Sequence, residues 1–206
     1  DSTCRIGRTY ADFKRYIEEL PTAVVEMDTL IGRVGGKVLL TLMFKSCDLM
    51  LAFIRERNTS QSVIDIFNWL YELLGADCFK MLFPVILTDN GSEFSNPKAL
   101  EFDSEGNRRT KLYYCDPFAS YQKANVELNH EFIRKILPKG TSFDDLCQDD
   151  INLMMSHINS YSREKLCDKS PFDLFGFLYG YTMLEKLGQI KIPPNEIMLK
   201  PSLLKK

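Results

Sequence analysis

Phe83-Pro84-Val85-Ile86-Leu87-Thr88-Asp89-Asn90-Gly91 is the stretch on which the fold turns. An apolar run this short reads as a buried strand, and the Asp-Asn-Gly that follows sets a carboxylate where the strand stops. Upstream, Val63, Phe67, Leu70 and Leu74 recur at helical spacing from Thr59, and Gly75 supplies the stop. Before that helix, strand character begins at Ala23, a turn spans Gly32 to Gly36, and Val38 to Phe44 is almost continuously apolar. A third strand follows at about Leu49 to Ile54, and the short connections predict an antiparallel meander. Downstream, the polar stretch Ser95–Thr110 has no periodicity to assign, and Lys111–Cys115 reads as another strand. Helices are predicted from Ala124 to Ile136, closed by Pro138 and Gly140, and from Asp149 to Tyr161. Another starts at Ser170-Pro171-Phe172-Asp173, with N-cap serine, N1 proline and a carboxylate at N3.

Near the start, Thr9 and Asp12 form a capping-box pattern ahead of the stripe Tyr10, Phe13, Ile17 and Leu20, and Pro21 ends that helix. After Gly188 the tail holds Pro193, Pro194 and Pro201 and reads as an extended arm. The order of elements predicts an α/β domain with a mixed five-stranded sheet and helices on both faces. Order alone fits several such folds, the ribonuclease-H-like arrangement among them. The expected division is a helical linker over 1–21, a core over 22–180, and a C-terminal helix and extended arm over 181–206.

The chain has 206 residues, 45% of them hydrophobic and 26% charged, which suits one soluble globular domain. No apolar run is long enough for a membrane span and no secretory signal is present, so a cytoplasmic protein is expected. Because the chain starts at Asp1, a longer parent protein is expected as well. Six cysteines without a CxxC pair, and only His130 and His157 beside them, read as reduced thiols in the core rather than a zinc site. The formal net charge of −2 is low for a protein that binds nucleic acid. Basic residues nevertheless gather at Arg5–Arg15, Arg108–Lys111, Arg134–Lys139 and Lys186–Lys206, each of which serves equally as a solvated face.

Two acids sit where acids are expensive. Asp28 interrupts an apolar strand, and Asp89 ends one, at the carboxyl edge where open α/β sheets bind ligands. If those strands are neighbours the carboxylates approach each other, and a divalent cation resolves their repulsion. Each residue also has a plain structural reading. Asp-Asn-Gly is turn chemistry, Asp28 can reach water from an edge strand, and Glu127 can be a solvent-facing carboxylate beside a core stripe of Leu128, Phe132 and Ile136.

The blocks Val25-Glu26-Met27-Asp28-Thr29, Thr88-Asp89-Asn90-Gly91-Ser92-Glu93-Phe94 and Tyr114-Cys115-Asp116-Pro117-Phe118-Ala119-Ser120-Tyr121-Gln122-Lys123-Ala124-Asn125-Val126-Glu127-Leu128-Asn129 occur in this order. Together with Arg134-Lys135-Ile136-Leu137-Pro138-Lys139-Gly140-Thr141, they resemble the DDE catalytic core of retroviral integrases and bacterial transposases, most of all the insertion-sequence-thirty type. The resemblance runs from about Ala23 to Phe175. It implies a ribonuclease-H-like fold, DNA end cleavage and strand transfer, and Asp28, Asp89 and Glu127 as the catalytic, metal-binding acids. It also implies magnesium with manganese as substitute, DNA as partner, a dimer or higher multimer on DNA, and a place at the bacterial nucleoid. Family members often carry Trp near Tyr121 and Gly near Ala124, and this loop departs from both.

The chemistry agrees with that assignment. Two hard cations about 3.5–4 Å apart activate the attacking oxygen and stabilise the leaving one, and carboxylates are their preferred ligands. No Ser/His/Asp or Cys/His constellation offers a covalent route. Glu131 and Asp116 are rivals to Glu127 as third ligand, and Glu93 reads as a loop hydrogen-bond acceptor. Around such a site Asn90, Lys123, Asn129, His130, Arg134 and Lys135 can reach DNA phosphates or bases. The competing readings are a non-catalytic DNA-binding domain and another ribonuclease-H-like nuclease.

Overall fold

A computed structural model of the chain describes residues 2–204; Asp1 and the last two lysines of the basic tail, Lys205 and Lys206, lie outside the described residues. The element order is α1 (Tyr10–Glu19), β1 (Val24–Ile31), β2 (Val38–Phe44), β3 (Met50–Arg55), α2 (Ser60–Leu74), α3 (Ala76–Leu82), β4 (Val85–Thr88), α4 (Pro97–Glu101), β5 (Lys111–Tyr114), α5 (Ala124–Ile136), α6 (Gln148–Ser160), α7 (Pro171–Tyr179) and α8 (Tyr181–Lys186). One five-stranded sheet runs β3-β2-β1-β4-β5. The first three strands form the expected antiparallel meander, while β4 adds parallel to β1 and β5 parallel to β4.

Alternation along the strands sends side chains to two different layers. Val25, Met27, Leu40, Leu42 and Phe44 pack with Phe67 and Leu70 of α2, Phe79 of α3, Phe175 of α7 and Leu184 of α8. Leu39, Met43 and Leu30 face the other way, onto Val126, Ile133 and Ile136 of α5 and Met154, Met155 and Ile158 of α6. On that same side Phe13 of α1 covers Val24, Val85, Leu87 and Tyr113.

The local signals explain the boundaries. Thr9 accepts from the Asp12 amide and Asp12 accepts from the Thr9 amide, the reciprocal cap expected of that pair. Ser170 caps α7 through the Asp173 amide, and Gly75 turns the chain at a positive φ of 79°. Four expectations need correction. Leu20 lies beyond α1 and is exposed. Ser95–Thr110 contains the short helix α4, capped by Asn96 with Pro97 at its first turn. Only Cys47 and Cys115 are buried, while Cys147 and Cys167 are exposed. The arm after Gly188 is not simply extended but carries 3-10 turns at Pro194–Glu196 and Pro201–Leu204, and it is docked: Ile192 is buried, and Leu199, Leu203 and Leu204 pack onto the α5–α6 layer.

Candidate active site

The parallel pairing of Val24 with Val85, Val25 with Ile86 and Glu26 with Leu87 fixes the register of β1 against β4. Continued two residues further, it sets Asp28 abreast of Asp89 at the carboxyl edge of the sheet. Thr88 ties the two segments together by donating from its hydroxyl to the Met27 carbonyl, 3.1 Å away. The turn reading of Asp-Asn-Gly holds as well: Asp89 Oδ1 accepts from the Gly91 amide at 3.0 Å. A Cβ at Gly91 would stand 2.4 Å from a Glu93 carboxylate oxygen, so a larger residue there would have to push the Glu93 carboxylate aside. Glu93 is buried and accepts from Asn58 at 3.2 Å, the structural part expected of it.

Asp28, Asp89 and Glu127 line one cleft of about 400 Å³, whose other walls include Asn90, Cys115, Asp116, Phe118 and Lys123. Glu127 stands in the first turn of α5 and is exposed. Of its rivals, Asp116 also lines the cleft, but its carboxylate accepts from the Gln122 side-chain amide at 2.8 Å; Glu131 does not line it. Among the described residues no three His, Cys, Asp or Glu side chains close together tightly enough to hold a metal ion.

A lysine stands between the two aspartates. Lys123 Nζ lies 3.2 Å from Asp28 Oδ1 and 3.4 Å from Asp89 Oδ2, with the Met27 carbonyl oxygen also at 3.4 Å. Two carboxylates and a carbonyl around one positive charge are hard oxygen donors of the type magnesium prefers. The donor chemistry fits a divalent ion at the Asp28–Asp89 pair, with Glu127 on the neighbouring wall.

Burial raises the Asp28 carboxyl to about 6, with Lys123 pulling it down and Asp89 pushing it up. Beneath it, Thr41 donates to the Asp28 carbonyl at 3.2 Å and meets His130 Nε2 at 2.8 Å. His130 is buried, and desolvation, with Lys123 and Arg134 nearby, lowers it to about 4.

Several expected DNA contacts face inward. Asn129 is buried, accepting from Arg163 at 2.8 Å and donating to the Asn125 carbonyl at 2.9 Å, so its side chain is engaged inside the fold. His130 is likewise buried, and Lys123 points into the cleft. Asn90 is half-buried and donates to the Cys115 carbonyl at 2.8 Å. Arg134 donates to the Ile31 carbonyl at 2.9 Å, and Lys135 is exposed, lying over the Phe132 ring.

The inward turn follows from the phase of α5. Its buried side is Val126, Asn129, His130, Ile133 and Ile136, whereas Leu128 is 59% exposed. The stripe expected through Leu128 is therefore out of phase, because two polar residues occupy core positions. One residue escaped sequence reasoning altogether. Glu26, buried in β1, accepts from the Val126 amide at 2.8 Å and pairs with Lys45 at 3.6 Å. It clamps the first turn of α5, the turn that carries Glu127. A carboxylate in an apolar strand, two residues before Asp28, was its only local signal.

No family model matches the chain. It is 26% identical over 173 residues to the transposase for insertion sequence element IS4351 from Bacteroides fragilis, covering 82% of this chain and 50% of that protein. By sequence the chain is thus similar to proteins named as transposases and, over 154 residues at 28% identity, to a putative integrase of Spiroplasma virus SpV1-R8A2 B. A shorter stretch of 87 residues, 42% of this chain and 21% of the relative, is 31% identical to the transposase InsI for insertion sequence element IS30A from Escherichia coli (strain K12). In solved structures the fold matches a chain of the simian T-cell lymphotropic virus intasome in complex with PP2A regulatory subunit B56 gamma, with a TM-score of 0.53 at 17% identity. That match covers 75% of this chain and 54% of the other, and the shared fold is ribonuclease-H-like. The chain spans no more than half the length of these curated relatives.

Proposed function

We propose that this domain performs the chemistry of DNA transposition or integration, cleaving element ends and joining them to target DNA, with Asp28, Asp89 and Glu127 as its catalytic carboxylates. The observation that carries the reading is the convergence of Asp28 and Asp89 on one cation, in a cleft that Glu127 also lines. Asp28, Asp89 and Glu127 would hold magnesium, or manganese in its place, as one or two ions, whose positive charge would activate the attacking oxygen and stabilise the leaving one.

The chain's own residues do the positioning. The β1–β4 register sets Asp28 beside Asp89, and Glu26 fixes the turn that presents Glu127. Phe118 and Ala119 give the cleft an apolar flank, and Asp28 is already largely withdrawn from water, which strengthens its hold on a cation. Exposed Lys135 and half-buried Arg134 and Asn90 are the remaining contacts for DNA, chiefly its phosphates. A dimer or higher multimer assembled on DNA belongs to the same reading.

Calorimetric titration of magnesium and manganese into the domain and into Asp28→Asn, Asp89→Asn and Glu127→Gln tests this directly. Sharp weakening by each change, with loss of manganese-supported cleavage of a labelled DNA duplex, is expected. Undiminished cation binding in both aspartate variants would overturn the site and favour a non-catalytic DNA-binding domain. If Glu127→Gln alone is silent, the third acid is Asp116 or Glu131.

A further inference from the structure

Lys123 ends the short turn Ser120–Lys123 at the position just before α5, and its side chain runs inward and is only 3% exposed. An isolated ammonium withdrawn from water is unfavourable, and so are two carboxylates side by side. Here each arrangement neutralises the other. Asp28 comes from β1, Asp89 from the end of β4 and Lys123 from the start of α5, so the contact is built by the fold rather than by a local turn.

Resting on the reading of Asp28 and Asp89 as cation ligands, we infer that Lys123 is an internal counter-ion that occupies the cation position between them until a divalent ion displaces it. Its ammonium faces Asp28 Oδ1, Asp89 Oδ2 and the Met27 carbonyl together, and these oxygens cannot serve a second positive charge at the same point. Lysine suits this part. It is a compact point charge on a flexible four-carbon stem, able to swing out by side-chain rotation while α5 stays in place. The cleft gives it somewhere to go, since Lys123 lines its wall together with Phe118 and Glu127. The cation-free protein is thereby spared the repulsion between Asp28 and Asp89. In exchange, the apparent affinity for the divalent ion is reduced by the fraction of molecules in which Lys123 still holds the site.

The test compares the parent domain with Lys123→Met and Asp28→Asn. In EDTA, Lys123→Met is expected to melt below the parent, and magnesium chloride to close that gap. Calorimetry is expected to show magnesium binding at least tenfold tighter in Lys123→Met than in the parent. The parent alone gives an independent readout through lysine acetylation followed by mass spectrometry. Lys123 is expected to be protected in EDTA and to react at least fivefold faster in saturating magnesium. Continued protection in saturating magnesium overturns the inference, and the parent labelling decides the matter if Lys123→Met does not fold. So does unchanged or weaker magnesium binding in a folded Lys123→Met while Asp28→Asn still loses it, which leaves the cation site standing without a counter-ion. Undiminished binding in Asp28→Asn removes the cation site itself.

Discussion

On one face of the sheet Val25, Met27, Leu40, Leu42 and Phe44 meet Phe67, Phe79 and Phe175 in an almost wholly apolar layer. On the other face the alternate residues of the same strands include Glu26, Asp28 and Thr41, and they meet His130 and the amide of Val126. Strand alternation thus lets one sheet hold two kinds of interior, with no residue serving both. The aromatic face supplies stability, and the polar face spends some of it on groups whose charge or hydrogen bonds must be kept. Phe79→Ala is the strongest way to break this contrast. Its ring is fully buried and lies against Phe67, Tyr71 and Phe83. A loss of about 3–5 kcal/mol in denaturant unfolding is expected. Cation binding per folded molecule is expected to stay unchanged, and a parallel loss of binding would show that the two faces are not independent.

The polar face reveals itself in pH dependence. His130 is lowered to about 4 in the fold from an ordinary value of 6.5, so the unfolded chain binds the proton more readily. Its contribution is therefore present above pH 6.5 and lost as pH falls toward 4. Asp28 is raised to about 6 from 3.8, so its effect runs the other way: stability is lost as pH climbs from 3.8 through 6. The two effects oppose each other across nearly the same window. Unfolding free energies measured from pH 4 to 7 in EDTA are expected to separate them. Asp28→Asn should gain stability with rising pH more steeply than the parent. His130→Gln should gain it less steeply, by a difference on the order of 3 kcal/mol across the window. Parallel profiles for all three proteins would refute the opposition.

The same contrast marks what the sequence could disclose. The apolar runs of β1, β2 and β4, the caps at Thr9 and Ser170, the acid interrupting β1 and the acid just after β4 are local patterns, and each was legible. That Asp28 and Asp89 meet depended only on β1 and β4 being neighbours, which the parallel register provides. The phase of α5 was misread because Asn129 and His130 occupy core positions that hydrophobic patterning assigns to apolar residues. Their partners, Arg163 and Thr41, lie 34 and 89 residues away along the chain. Lys123 read as a phosphate contact for the same reason: its counter-charges come from two distant strands. The helices α3 and α4, of 7 and 5 residues, are too short for a period to declare itself.

Glu26 allows the finest cut, because one carboxylate combines an unfavourable and a favourable effect. Burial raises its carboxyl above the usual range, against the Val126 amide and Lys45, which favour the charged form. Glu26→Gln relieves that unfavourable charge burial and keeps an acceptor for the Val126 amide, so its stability is expected within about 0.5 kcal/mol of the parent. Glu26→Ala leaves the amide, which opens α5, without its acceptor in a buried place, and a loss of about 1–3 kcal/mol is expected. Amide hydrogen exchange resolves whether the clamp acts locally. Faster exchange confined to Val126 and Glu127 in Glu26→Ala, with Glu26→Gln near the parent, assigns the residue to holding the first turn of α5. Equal acceleration throughout β1 and α5 would mean that Glu26 contributes only general packing, and that the polar face differs from the aromatic one in composition but not in its mode of action.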